Sequence, residues 1–75
     1  MRISLDSLKE GQSAKVEAIL LDEKKQAKVS HLGLVKNAYI QKKYSSMMGN
    51  PVAYQIYGTV FALRNEDAKH IEVEL

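Results

Sequence analysis

Cysteine is absent from this sequence, which removes disulfides, thiolate zinc sites and iron–sulfur clusters from consideration. No apolar run approaches the ~20 residues that span a bilayer, and the N-terminus lacks a signal-peptide pattern. The expectation is a soluble protein of the cytoplasm. Catalytic motifs are equally scarce. Ser30 and His31 are adjacent, but there is no Gly-x-Ser-x-Gly elbow and no recognisable third triad member. No glycine-rich phosphate loop is present, so the chain itself is not expected to bind GTP. Linkers, internal repeats and low-complexity segments are also missing.

A more informative absence is one of charge. Residues 24–65 contain no Asp or Glu, yet they hold Lys24, Lys25, Lys28, Lys36, Lys42, Lys43 and Arg64. The acids lie outside, at Asp6, Glu10, Glu17, Asp22, Glu23, Glu66, Asp67, Glu72 and Glu74. Net charge is only +2, so the segregation matters more than the sum. It can steer an acidic surface towards one side of the molecule. Solvation of outward strand faces is the plainer explanation.

What is present fits one small folded domain, residues 1–75. A chain of 75 residues buries only ~60% or slightly more of its unfolded surface, so its core must be thin. Leu5 and Leu8 are spaced for one helical turn, ended by Gly11. In "SAKVEAILL", Ala14, Val16, Ala18 and Leu20 alternate with polar residues, as in a half-buried strand. Asp22 is placed to cap a helix that runs through Val29 and stops at Gly33. Its apolar face, Val29 and Leu32 with Ala27, is narrow. "NAYIQKKY" puts Ile40 and Tyr44 on one side; "VAYQIY" does the same for Val52, Tyr54 and Ile56. "TVFALR" is a further strand, Asn65 can cap a single turn, and "HIEVEL" closes the chain with Ile71, Val73 and Leu75 alternating. The fold class predicted is mainly β: a small barrel of about five strands, with one short helix in the first connection.

The order "LDSLKEGQSAKV", "HLGL", "GNPVAYQIYGTVFALRNEDAKHIEVE" resembles the FeoA family over residues 3–74. The most specific matches are Leu32-Gly33, the turn Gly49-Asn50-Pro51-Val52, and Ala62-Leu63-Arg64 followed by Asp67-Ala68. The resemblance implies a small cytosolic SH3-like barrel that works with FeoB, the membrane GTPase that transports ferrous iron. Lys36-Asn37 stands where the family usually has Pro-Gly; Asn tolerates left-handed backbone, so Asn37 can keep the turn. Ser30 replaces a frequent leucine. A similar module ends the iron-dependent repressors of the DtxR type, which makes a metal-sensing module one alternative.

Candidate site residues follow from chemistry and resemblance together. The iron context directs attention to His31, His70, Glu72 and Glu74 as ligands for a transition metal ion such as Fe(II). His70, Glu72 and Glu74 share one face of the last strand, but same-face neighbours are ~7 Å apart, which favours a solvated polar face. His31 equally suits the C-terminal end of the helix. Met47 and Met48 do not suit Fe(II), because thioethers prefer softer ions. They are either partner-facing or folded over the barrel end. With Lys42, Lys43 and Leu32 they make the proposed contact surface for the cytosolic GTPase region of FeoB. Tyr44 beside Lys42 and Lys43 raises a nucleic-acid alternative, but Tyr44, Tyr54 and Tyr57 are expected to be partly buried barrel residues. Arg64 is expected to pair with a carboxylate of the following turn or last strand. An apolar loop also makes self-association conceivable.

Overall fold

The computed structural model describes all residues, 1–75, as one antiparallel sheet wrapped around a single core. The strands are β1 (Arg2–Ser4), β2 (Ser13–Ile19), β3 (Tyr39–Ser45), β4 (Val52–Ile56), β5 (Thr59–Leu63) and β6 (Ile71–Glu74). They lie in the order β1-β6-β2-β3-β4-β5, so β1 and β5 are edges and the barrel does not close. Six strands replace the five expected. The addition, β1, is too short for its alternation to show and is defined by pairing Ile3 with Val73.

Two helices occupy the connections. Asp22 caps α1 (Glu23–Ser30) by accepting from the Lys25 N–H at 2.8 Å. Gly33 then takes φ +92°, and the Leu34 N–H returns to the Val29 carbonyl, which ends the helix. Asn37 adopts φ +76°, the left-handed turn conformation expected of it. The second helix, α2 (Asn65–Ala68), is a single turn, and a 3-10 turn covers Leu5–Ser7. No helix is long and apolar enough to cross a membrane.

The core gathers one face of every long strand. Val16, Ile40, Val52, Tyr54, Ile56, Ile71 and Val73 are almost wholly buried, with Leu5, Leu8 and Leu34 closing the ends. Each such side chain contributes ~1.5–3 kcal/mol of burial. Two bulges break the alternation. Between β2 and β6 the pairing skips Glu17, so Ile19 turns towards the core opposite Ile71 and Leu20 faces solvent. Between β3 and β4 it skips Lys43, so Tyr44 pairs with Ala53 and points outwards, not inwards with Ile40. Of the three tyrosines expected to be partly buried, only Tyr54 is inside; Tyr44 and Tyr57 are exposed.

Candidate functional site

The β3–β4 connection, residues 46–51, is fixed at its base and free at its tip. Gly49, at φ +79°, donates to the Ser46 carbonyl at 2.8 Å and closes the turn. Asn50 Oδ1 accepts from the backbone N–H of Asn65 at 2.9 Å, and the Asn65 side chain donates to the Gly49 carbonyl at 3.0 Å. The Gly-Asn-Pro turn is therefore bolted to the start of α2. Asn65 does not cap that helix, as the sequence suggested; Arg64 holds the N-cap position, and Asn50 satisfies the first free N–H from across the loop. The tie between these two asparagines was not foreseen, since the pair lies in separate turns.

Met47 and Met48 project from this anchored loop at 105% and 90% exposure. Neither folds back over the barrel end. Two flexible thioether side chains on a fixed turn can adapt to an irregular apolar groove. Lys43, the bulge residue, is exposed beside them in sequence. Lys42 is turned the other way. Its register opposite Tyr54 puts it on the inner face, where Nζ donates to the Leu8 carbonyl at 2.8 Å and the Asp6 carbonyl at 3.4 Å. It closes the barrel end over the 3-10 turn.

Leu32 lies elsewhere, half-buried after α1. With Leu21, Val29 and Leu63 it lines a cleft of about 280 Å³ between α1 and the end of β5. Lys25 at its rim pairs with Asp67 at 2.9 Å, and that hydrogen bond, helped by the Asp67 charge, raises the Lys25 pKa. Arg64 also borders the cleft but has no carboxylate within ion-pair distance, contrary to expectation.

The four candidate metal ligands do not converge. No three His, Asp or Glu side chains group closely enough to hold an ion. Glu72 pairs with Arg2 at 2.7 Å, and Glu74 pairs with the N-terminal amine, whose hydrogen bond lowers the Glu74 pKa. His70 is exposed before β6, and His31 is the C-terminal cap of α1. A wider polar groove of about 400 Å³ includes His70, but Lys25 and Lys69 line it too, and they oppose a cation.

Comparison with known proteins gives a consistent result. The model of the FeoA domain matches residues 3–75. A FeoA-like protein from Clostridium acetobutylicum is 30% identical with a TM-score of 0.85, covering 99% of this chain and 86% of that one. A crystal structure of an iron uptake regulatory protein, FeoA, is 28% identical with a TM-score of 0.87, covering 99% and 97%. The zinc complex of Stenotrophomonas maltophilia FeoA is 29% identical with a TM-score of 0.80, covering 96% and 89%. It is described as a prokaryotic SH3 domain protein possibly acting as a ferrous iron transport activating factor. No curated protein matches the chain.

Proposed function

Since the chain belongs to the FeoA family, which is associated with ferrous iron transport, we propose that it is a non-enzymatic adaptor of iron uptake. Its partner in this reading is the cytosolic GTPase region of a FeoB-type transporter, reached from the cytoplasm and held at the membrane only through that partner. The observation that carries the proposal is the Met47–Met48 pair, fully exposed on a loop whose base is fixed by Asn50 and Asn65. Exposed apolar side chains on a fixed loop base offer a contact surface whose backbone is already ordered before binding. An adaptor of this kind acts by binding one conformation of its partner more tightly than another.

The test is a pull-down of the purified protein against the soluble GTPase region of FeoB, with and without GTP. Wild-type protein should be retained, and the double variant Met47→Ser, Met48→Ser should not. The double variant should keep its unfolding free energy within ~0.5 kcal/mol, because both side chains are in solvent. Equal retention of the variant, or a large loss of stability, refutes this role for the loop.

A second reading rests on Tyr39 and Tyr44 of β3 and Tyr57 of the β4–β5 turn, all exposed, with the exposed, unpaired Lys43 next to Tyr44. Several exposed aromatics near lysines suit single-stranded nucleic acid. A shift assay with RNA at physiological salt decides it: retention of RNA but not of FeoB favours this reading over the adaptor.

A further inference from the structure

β5 is an edge strand, hydrogen-bonded to β4 on one side only. The two-residue turn at Tyr57 and Gly58, φ +49° and +87°, makes Ile56 and Thr59 a hydrogen-bonded pair. Antiparallel alternation then turns the N–H and C=O of Val60 and Ala62 away from β4. No turn, loop or cap backbone group bonds to either residue. The strand, Thr-Val-Phe-Ala-Leu, has no charge or proline, and its pairing with β4 is free of bulges. Charge, proline and a bulge, three common ways of blocking an edge, are therefore absent from it.

The end of this edge is one wall of the cleft that α1 closes from the other side. Leu21, Val29, Leu32 and Leu63 give the cleft its apolar lining, while Lys28 and Arg64 stand at its rim. Neither cation is matched, because the ion pairs of the molecule are Met1–Glu74, Arg2–Glu72, Lys15–Glu17 and Lys25–Asp67. The site thus offers free strand donors and acceptors, an apolar slot and uncompensated positive charge.

We propose that the β5 edge takes up an extended, acidic segment of a partner protein as an added strand. One apolar side chain of the segment enters the cleft against Leu32, and its carboxylates meet Lys28 and Arg64. A second copy of the chain is a poorer occupant. Residues 24–65, which include its own β5 edge, contain no Asp or Glu to answer those cations, and at its other edge, β1, Glu72 and Glu74 are already paired with Arg2 and the N-terminal amine. A nucleic acid would meet the charge but not the alternating backbone donors and acceptors, which a peptide strand matches. The inference builds on the reading of the chain as a binding module. Its test needs no transporter, so it succeeds or fails separately from the pull-down.

The probe is a fluorescein-labelled peptide in which Val and Leu alternate with Glu and Asp, compared with the same peptide carrying Lys at the acidic positions. Fluorescence polarisation should show binding of the acidic peptide alone, weakened by added salt. Ala62→Pro removes an edge N–H that the β4–β5 ladder does not use, so the fold should persist. That variant, and separately Lys28→Glu with Arg64→Glu, should weaken binding about tenfold or more. Unchanged affinity in a folded Ala62→Pro protein overturns the proposal, as does equal binding of the lysine peptide. If Ala62→Pro does not fold, the charge-reversed variant decides: full affinity there overturns it. Sedimentation that shows a wild-type dimer dissociated by Ala62→Pro gives the edge to a second copy instead.

Discussion

Replacing Tyr54 by phenylalanine should make the protein more stable. Tyr54 sits at 0% exposure in the middle of β4, its ring 6.5 Å from that of Phe61. Its hydroxyl is buried and has no hydrogen-bond partner in the protein. A buried hydroxyl without a partner costs ~1–3 kcal/mol, and phenylalanine keeps the ring and its packing. The expected gain for Tyr54→Phe is about 1–2 kcal/mol, or roughly 4–8 °C in Tm for each kcal/mol in a domain of this size.

The same residue sets a pH dependence. Burial first, and the negative charge of Asp6 second, push the Tyr54 phenol from 10.0 up to about 12. As pH rises past 10, the unfolded chain gives up this proton while the folded chain keeps it, so the folded state binds more protons and stability falls. Full deprotonation of both states, above pH 12, would remove about 2–3 kcal/mol relative to neutral pH. Urea titrations followed by circular dichroism at pH 7 and at steps from 9 to 11.5 measure both effects. Lysine titration is common to the two proteins, so the difference between them isolates Tyr54. A Tyr54→Phe protein more than 1 kcal/mol less stable than wild type, or one with the same alkaline decline, would refute the assignment.

The two neighbouring lysines should separate sharply. Lys42→Ala removes the donor to the Leu8 and Asp6 carbonyls and should cost about 1.5–3 kcal/mol by urea denaturation, whereas Lys43→Ala should stay within ~0.5 kcal/mol. Asn50→Ala deprives the first N–H of α2 of its acceptor and should cost ~1 kcal/mol, as loss of a helix cap does; Asn50→Asp retains an oxygen there and should recover most of it.

How far the sequence could be read depended on how local each determinant was. The cap at Asp22, the stop at Gly33 and the left-handed Asn37 are decided within a few residues, and all three are found. The alternation of β4 was equally plain, because its register with β5 is unbroken. Leu20 and Tyr44 were misplaced for one reason. A bulge adds a residue to one strand opposite a partner far along the chain, and everything beyond it changes face. Nothing in "KVEAILL" or "QKKYSS" marks which residue is extra. For the loop, the sequence left two fates open for Met47 and Met48; the choice depends on Asn50 and Asn65, fifteen residues apart. The β5 cleft was invisible, since its walls come from a helix and a strand joined only by the fold.

The acid-free stretch acquires a meaning in the fold that composition alone could not supply. On the β1-β6-β2 half of the sheet, Glu72, Glu74 and Glu17 are answered by Arg2, the N-terminal amine and Lys15. On the β3-β4-β5 half and α1, Lys24, Lys28, Lys43 and Arg64 have no carboxylate partner. Met47, Met48, Tyr44, Tyr57 and Val60 are exposed on this same half. A partner docking on this half would have its acidic groups attracted from a distance by the unpaired cations and would be held on contact by the exposed apolar side chains. Attraction over that distance is screened within ~8 Å at physiological salt, whereas apolar contact is not. Added salt should therefore slow association with such a partner far more than it speeds dissociation, and stopped-flow rates measured across a salt series distinguish the two.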